Sequence, residues 1–396
     1  MCFVFILPVS LASAAVVETI DAQTYQGEIT RLDAKGTTIK TAGGEKTFAA
    51  EDLSKLVLND VADLPDLLKT RSQAVVLTRA GDVVPAQVES LRMEKDQLRI
   101  EPGKIGKPMK LPLRHLRAIL FPAADQSPED VLRLCDEIKS EPGANDVLVI
   151  ERKDGKPQTV VGSLLGIAER KIQFSYHGKE RTVKADRLRA ILLARPAKAP
   201  PAARGWLKTT DGCVYTFSEI EQADAFYTLQ RPQSTSINIP RDETANITFH
   251  SDRLVYLADL EPSNVRQHGL FDKAIPYRVN YSAGGSPLRL GGREYKTGLG
   301  LHSFCELTYD LGGTYRVFIA TAGIDDAVRP NGAAALMILA DGKAIFPATT
   351  LTGREEPMLI RLSVRGAKTL TIRLDFGPDK LDASDHVDLA DARLVK

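Results

Sequence analysis

Residues 296–303 read KTGLGLHS, residues 323–326 read GIDD, and residues 385–392 read DHVDLADA; these three runs decide the fold of the last third of the chain. Between them, apolar and polar residues alternate, as in Tyr315–Val317–Ile319 and Leu370–Ile372–Leu374. Alternation with a period of two is typical of half-buried strands, and Gly-rich turns separate the runs. Several short strands without a long helical pattern predict an antiparallel β-sandwich or jelly roll.

With YDLGG at 309–313 and ADGK at 340–343, the same runs occur in an order that resembles the NPCBM family. The resemblance covers about residues 254–396, within a predicted domain at 252–396. Members of this family are carbohydrate-binding modules found beside glycoside hydrolase domains, with a galactose-binding-like jelly-roll fold. The resemblance therefore implies recognition of a glycan by loops of the domain. Leu389 stands where the family usually has an aromatic residue, most often tryptophan.

Six polar side chains in these runs are the candidates for binding sugar hydroxyls: His302, Asp325, Asp326, Asp385, His386 and Asp388. A neutral imidazole offers one donor and one acceptor, and carboxylates accept hydrogen bonds. Two simpler roles stay open, namely a sheet histidine held by a backbone hydrogen bond for His302 and a loop cap for Asp325–Asp326. Five aromatic residues near the loops are candidate substitutes for the missing platform: Tyr277, Tyr281, Tyr295, Phe304 and Phe346.

Metal binding and catalysis have less support. Asp385, Asp388 and Asp391 recur every three residues and offer oxygens for a structural calcium ion, but the EF-hand spacing is absent, so the main prediction is no cofactor. The sequence contains none of the common hydrolase or nucleotide-binding motifs. Asp325 or Asp326 with Asp385 is the one pair that resembles the two carboxylates of a glycosidase. The protein is predicted not to be an enzyme.

The N-terminal two-thirds of the chain repeats itself. Segments 17–58, 75–121 and 147–193 each contain several strand-like runs and close on a similar ending, and Leu-Arg-Ala-Ile-Leu stands identically at 116–120 and 188–192. Copies of about fifty residues suit four or five short strands in a small β-barrel. The pattern resembles Sm-like barrels, and a chain of such modules is expected to present the C-terminal domain.

The predicted boundaries follow from these patterns. They are a signal peptide at 1–14, barrel repeats at 15–60, 72–122 and 145–194, a linking helix at 127–140, a Pro/Ala linker at 195–204, a degenerate fourth repeat at 205–251 and the jelly roll at 252–396. The helix is predicted because Ser127 is a good N-cap and apolar residues recur at helical spacing after it.

The first residues and the charge balance indicate the compartment. An apolar run at 3–9 followed by Ala12–Ser13–Ala14 is typical of a signal peptide and too short to span a membrane. The expected location is therefore secreted or periplasmic. Lys+Arg 52 against Asp+Glu 51 leaves a formal charge of +1, which excludes the electrostatic attraction that drives nucleic-acid binding. Cys135, Cys213 and Cys305 are expected to be buried and unpaired.

Together these patterns predict an exported, non-catalytic protein that binds carbohydrate through loops of its C-terminal jelly roll. One alternative is a structural or protein-interaction scaffold of the envelope or extracellular matrix, in which the sugar site has been lost. Another is an accessory part of a larger hydrolase complex. The repeats are a candidate surface for a protein partner.

Overall fold

The computed structural model describes residues 14–59, 73–101, 108–122, 145–152, 154–194, 201–232, 236–271 and 273–396. Its regular structure is all-β with short 3₁₀ turns, as predicted. Residues 1–13 of the predicted signal peptide, the whole predicted helix at 127–140 and residues 195–200 of the predicted linker lie outside the described residues. No helix in the described part of the chain is long and apolar enough to cross a membrane.

The chain divides into two compact units, which we call the N-terminal unit and the C-terminal unit. The N-terminal unit consists of Met1–Glu18 and Thr24–His250, and the C-terminal unit of Thr19–Gln23 and Ser251–Lys396. Apart from Thr19–Gln23, all four repeats therefore belong to one compact unit. The expected chain of separate barrels is not what the structure shows.

Copies 1 and 3 have the same five strands, with a 3₁₀ turn before the last (Ala50–Asp52 and Ala185–Arg187). Copy 1 contains β1 (Ala15–Thr19), β2 (Thr24–Asp33), β3 (Gly36–Thr41), β4 (Gly44–Ala49) and β5 (Leu53–Val57). Copy 3 contains β12 (Asp146–Glu151), β13 (Pro157–Ala168), β14 (Lys171–Tyr176), β15 (Lys179–Lys184) and β16 (Leu188–Leu192). In both, the long second strand pairs with the first strand along one half and with the third strand along the other.

In copies 2 and 4 the second strand is replaced by two shorter strands. Copy 2 contains β6 (Gln73–Thr78), β7 (Val83–Gln87), β8 (Arg92–Glu94), β9 (Gln97–Ile100), β10 (Met109–Pro112) and β11 (Leu116–Leu120), with 3₁₀ turns at Val88–Ser90 and Leu113–His115. Copy 4 contains β17 (Gly205–Thr209), β18 (Val214–Phe217), β19 (Glu219–Ala223), β20 (Phe226–Gln230), β21 (Ser236–Pro240) and β22 (Thr244–Phe249). The copy that was expected to be degenerate thus has the full set of strands.

Strands of different copies pair directly, which makes one 16-stranded sheet of order β15-β14-β13-β12-β16-β11-β6-β7-β18-β17-β22-β5-β1-β2-β3-β4. The last strands of neighbouring copies run antiparallel, with Ile119 opposite Ile191 in copies 2 and 3 and Leu56 opposite Ile247 in copies 1 and 4. These four side chains belong to one buried cluster that includes residues of all four copies. The last strand of each copy therefore has a similar sequence because it both packs in the core and pairs with the last strand of another copy.

A buried ion pair joins copies 2 and 4. Asp82, in the turn between β6 and β7, is 0% exposed and contacts the guanidinium of Arg231, which is 5% exposed. Its Oδ1 also accepts hydrogen bonds from the backbone N–H and the hydroxyl of Thr216, at 2.7 and 2.6 Å. The carboxylate is thus surrounded by donors from copy 4.

The C-terminal unit is a β-sandwich of two antiparallel sheets. Its strands are β23 (Leu254–Tyr256), β24 (Asn264–Gln267), β25 (Arg278–Val279), β26 (Leu288–Leu290), β27 (Arg293–Tyr295), β28 (Gly298–His302), β29 (Cys305–Asp310), β30 (Val317–Ile324), β31 (Ala333–Ala340), β32 (Lys343–Thr352), β33 (Met358–Ser363), β34 (Thr369–Phe376) and β35 (His386–Val395). One sheet has the order β25-β28-β35-β30-β33 with β23 also on β35, and the other has the order β24-β29-β34-β31-β32. Strands β26 and β27 form a separate hairpin.

Alternation places the apolar residues of both sheets in one core. Leu307 and Ile372 from one sheet and Phe318 and Leu389 from the other are fully buried in the same cluster. Cys305 is a buried free thiol in this core, and Cys213 is another in the N-terminal unit, as predicted, while Cys135 lies outside the described residues.

Candidate functional site

Strand register brings most of the predicted site residues to one end of one sheet. His302 on β28 lies opposite His386 on β35, and Asp388 lies between Gly300 on β28 and Gly323 on β30. Since Val387 and Leu389 point into the core, the residues alternating with them belong to the outer face of this sheet. The strand pairing therefore places His302, His386 and Asp388 on one face at this end of the sheet.

The two histidines are neighbours with different exposure. Their ring centroids are 5.3 Å apart; His302 is 4% exposed, whereas His386 is half-buried. His302 Nδ1 lies 2.8 Å from the Ser303 carbonyl oxygen, so Nδ1 carries the hydrogen and donates it. This is the simpler role that the sequence left open for His302. Burial and the nearby His302 lower the pKa of His386, although Asp325 opposes the shift. His386 is therefore neutral at pH 7 and offers one donor and one acceptor.

Asp385 is buried and connects Ser303, which follows β28, to Ala333, the first residue of β31, through hydrogen bonds. It is 1% exposed, and its Oδ2 accepts a hydrogen bond of 2.6 Å from the Ser303 hydroxyl. Its Oδ1 accepts one of 3.0 Å from the N–H of Ala333. Burial nevertheless raises the pKa of Asp385 above its ordinary value. Both oxygens are thus engaged by the protein's own donors.

Asp325 and Asp388 form a buried pair of carboxyl groups. They are 1% and 0% exposed, and the pairing of Gly323 with Asp388 brings the two side chains to the same face of the sheet. Burial first, and then Asp325, raise the pKa of Asp388 to about 9. A carboxyl group with this pKa is protonated at pH 7, so one member of the pair is an acid and can donate.

Asp326 is the predicted aspartate that lies nearer the surface. It is half-buried, and its two carboxylate oxygens accept hydrogen bonds from the N–H groups of Gly291 and Gly292, at 3.0 and 2.7 Å. Arg329 lies 3.6 Å from the same carboxylate. Asp326 therefore holds the turn of the β26–β27 hairpin and retains some access to solvent.

Of the five aromatic residues proposed as platforms, only Tyr281 is exposed, at 51%. The others are half-buried, and Phe304 is stacked on His268 at a centroid distance of 4.6 Å. The chain next to Tyr281 crosses the outer face, because a side chain at Gly284 would lie 3.5 Å from the ring of His386. Phe271, which is 88% exposed in a loop, was missed, since an isolated loop aromatic leaves no periodic signal.

Leu389 has a different meaning from the one its family position suggested. It is 0% exposed, belongs to the buried core, and pairs with Leu299 and Ala322 in the sheet. An aromatic side chain on this backbone would enter the sandwich rather than face a ligand. The departure from the family pattern therefore bears on packing.

The three aspartates proposed for calcium do not share a set of contacts. Asp385 bonds to Ser303 and Ala333, and Asp388 to the N–H of Arg289 at 3.2 Å. No group of three or more His, Cys, Asp or Glu residues arranged to hold a metal ion occurs among the described residues. Calcium binding itself stays a prediction.

The fold and this site define a β-sandwich with polar groups on the outer face of one sheet. Residues 253–395 match the family model of the NPCBM/NEW2 domain, as the sequence runs predicted. The match supports a carbohydrate-binding role for the C-terminal unit.

A named relative is similar to a shorter part of the chain. A Renibacterium salmoninarum protein named as an endo-alpha-N-acetylgalactosaminidase is 32% identical over 90 residues, which are 23% of this chain and 6% of that protein. The chain thus spans a small fraction of that relative's length.

Two solved structures of CBM51 modules are similar to this chain. One, from Clostridium perfringens GH95 in complex with methyl-galactose, has 24% identity and a TM-score of 0.33, covering 36% of this chain and 99% of its own. The tandem CBM51 modules of the family 98 glycoside hydrolase from Streptococcus pneumoniae SP3-BS71 have 14% identity and a TM-score of 0.31, covering 81% and 87%.

Proposed function

We propose that this protein binds a glycan, without catalysis, through the outer face and loops around His386 in the C-terminal unit. The observation that carries the proposal is the NPCBM/NEW2 match over residues 253–395. The polar groups of the outer face that retain access to solvent support it.

Three residues are proposed to make the contacts. His386 is half-buried and offers a donor and an acceptor to sugar hydroxyls. Asp326 is half-buried and accepts hydrogen bonds, and Tyr281 offers an exposed aromatic face to the apolar side of a sugar ring. His302, Asp325, Asp385 and Asp388 are at least 96% buried, so their proposed role is to position the outer face and not to touch the ligand.

The absence of catalysis is part of the proposal. Asp385 accepts hydrogen bonds from two internal donors, and Asp325 is buried beside Asp388 inside the protein. A pair of carboxyl groups in a glycosidase must flank the bond to be cleaved, with one of them acting on the leaving oxygen. Asp325 and Asp385 are each 1% exposed and hence do not meet this requirement.

The predicted export is proposed as well, on the strength of the apolar run before Ala14. An outer-surface location would bring the site to extracellular glycans. A small contact area gives dissociation constants of about micromolar or weaker, which several neighbouring copies would strengthen by avidity. The repeats of the N-terminal unit are proposed as the surface for a protein partner.

The test uses the full chain on a broad glycan array, with and without calcium, followed by titration of the best glycan. We expect selective binding that His386→Ala and Tyr281→Ala each weaken about tenfold or more, the loss that corresponds to about 1.4 kcal/mol. His177→Ala is the matched control, because it removes an exposed histidine from the N-terminal unit. Binding that is unaffected by all three substitutions would place the site elsewhere.

The second candidate function is a scaffold without a sugar site. The burial of His302, Asp325, Asp385 and Asp388 favours it, because these side chains serve the fold. A folded protein that binds no glycan on the array, and that is recovered from its envelope or medium fraction with another protein, would support the scaffold.

A further inference from the structure

The carboxyl groups of Asp325 and Asp388 lie beneath the β26–β27 hairpin, and one oxygen of each has no hydrogen-bond donor among the described residues. Asp388 Oδ2 accepts a hydrogen bond of 3.2 Å from the N–H of Arg289, and Asp325 Oδ1 accepts one of 2.9 Å from the N–H of Ala327. Asp388 Oδ1 and Asp325 Oδ2 are buried and receive no donor from the described residues. Two carboxylates side by side in a buried place do not both ionise, because like charges repel and neither is solvated.

Hydrogen bonds hold the β26–β27 hairpin to the sheet at Asp388 and at the neighbouring Asp326. Besides the bond from Arg289 N–H to Asp388, the N–H of Asp326 donates to the Arg289 carbonyl at 2.9 Å. Asp326 in turn accepts from the hairpin turn at Gly291 and Gly292. Leu288 and Leu290 of the hairpin are 0% and 2% exposed, so their burial also depends on the closed position.

We propose that Asp325 and Asp388 share one proton, and that this proton keeps the β26–β27 hairpin closed over the sheet until alkaline pH removes it. Such a pH-sensitive latch does not depend on glycan binding. Loss of the proton leaves two adjacent buried charges at the point where the hairpin is attached. Their repulsion and their need for water would open the hairpin.

Other titratable groups around the pair come from the elements packed near it. They are His386 of β35, His302 of β28, Asp326 and Arg329 of the turn after β30, and Arg289 of the hairpin. Asp326 opposes ionisation of Asp388, as Asp325 does. The guanidinium of Arg289 is directed toward Glu294, 3.4 Å away, and does not neutralise the pair.

The sign of the pH effect follows from linkage. Asp388 has a folded pKa of about 9, above the value of 3.8 for the free side chain. Between these two values the folded state binds more protons than the unfolded state, so stability falls as the pH rises. The contribution is complete below about pH 4 and is lost as the pH passes through about 9.

The test compares the full-length protein with Asp388→Asn between pH 6 and pH 10. An asparagine accepts from Arg289 N–H and donates to Asp325 at every pH, so it copies the protonated state. We expect the melting temperature of the unmodified protein to fall toward high pH relative to this variant. In the unmodified protein, hydrogen exchange of residues 288–292, corrected for intrinsic rates, is expected to become about tenfold faster with each pH unit up to the folded pKa of Asp388.

Controls separate this latch from general alkaline effects. Glu261→Gln changes an exposed carboxylate of the same unit and is expected to follow the unmodified protein. Asp325→Asn provides a second pair with one carboxylate and one amide if Asp388→Asn does not fold. Parallel curves for the unmodified protein and the asparagine variants would overturn the proposal. So would a melting temperature that calcium raises and a chelator lowers only when both aspartates are present, because a cation would then hold the pair.

Discussion

Two aspartates in different units are equally buried and have opposite surroundings. Asp82 of the N-terminal unit and Asp388 of the C-terminal unit are both 0% exposed. Asp82 faces a guanidinium, a hydroxyl and an N–H group. Asp388 faces a second carboxyl group and one N–H group.

The comparison shows that burial alone does not set the charge of an aspartate. Arg231 and the two donors of Thr216 stabilise Asp82 as a carboxylate, and removing one partner from such a pair leaves an uncompensated buried charge. No cation among the described residues contacts Asp388, and burial and Asp325 raise its pKa to about 9, so it keeps a proton. The sign of the nearest partner decides between an ion pair and a shared proton.

Asp82→Ala is expected to have the largest effect, because it leaves Arg231 buried without its partner. The loss in free energy of unfolding should be about 3–5 kcal/mol. Trp206, the only tryptophan of the chain, lies in β17 of the N-terminal unit, so its fluorescence in a denaturant titration reports this unit.

The control for this substitution is Asp154→Ala, which removes a carboxylate that is 46% exposed. Its effect should be within about 0.5 kcal/mol, as for most surface positions. A similar small loss for Asp82→Ala would break the comparison, since the ion pair would then contribute nothing that water could not replace.

The sequence predicted much of the fold because periodicity and repetition reflect burial directly. The Leu-Arg-Ala-Ile-Leu runs were assigned to repeated β units, and they form β11 and β16. What the repeats could not show is that these strands pair with each other, because edge pairing between copies uses backbone groups that every residue carries. The single compact unit therefore came only from the structure.

The sequence grouped the candidate residues, and their role in binding stays a prediction. His302, His386 and Asp388 do converge on one face, because strand register brings distant runs together. Their exposure could not be predicted, because the segment that covers Gly300 contacts it with backbone atoms of Tyr281 and Ser282. Backbone atoms are the same in every residue and leave no signal in the sequence. Leu389 was interpreted as a lost platform for the same reason: the alternation of β35 does not say which face meets the core.

Ser303→Ala sharpens the comparison within the C-terminal unit, where Asp385 has two donors in place of a cation. The substitution leaves Asp385 Oδ2 buried without its hydrogen bond of 2.6 Å, so the expected loss is about 1–3 kcal/mol. Calorimetry measures this loss from the unfolding transition of the C-terminal unit, which Trp206 fluorescence does not report. Because burial raises the pKa of Asp385, the loss should be smaller at acid pH, where the carboxyl is protonated. A loss that is equal at pH 4 and pH 8 would contradict this assignment.

Thr216→Val is expected to have the smallest effect and grades the contribution of a neutral donor to the Asp82 site. Valine keeps the shape of threonine and the backbone N–H at 2.7 Å, but it removes the hydroxyl that donates at 2.6 Å. With Arg231 still in contact, the expected loss is about 1 kcal/mol, measured by Trp206 fluorescence in denaturant. Thr209→Val offers a matched change in the same unit, since that hydroxyl bonds to Asp211 within its own turn. If Thr216→Val cost as much as Asp82→Ala, the hydroxyl rather than the guanidinium would be what holds the buried charge, and the contrast with Asp388 would be one of donor number rather than of charge.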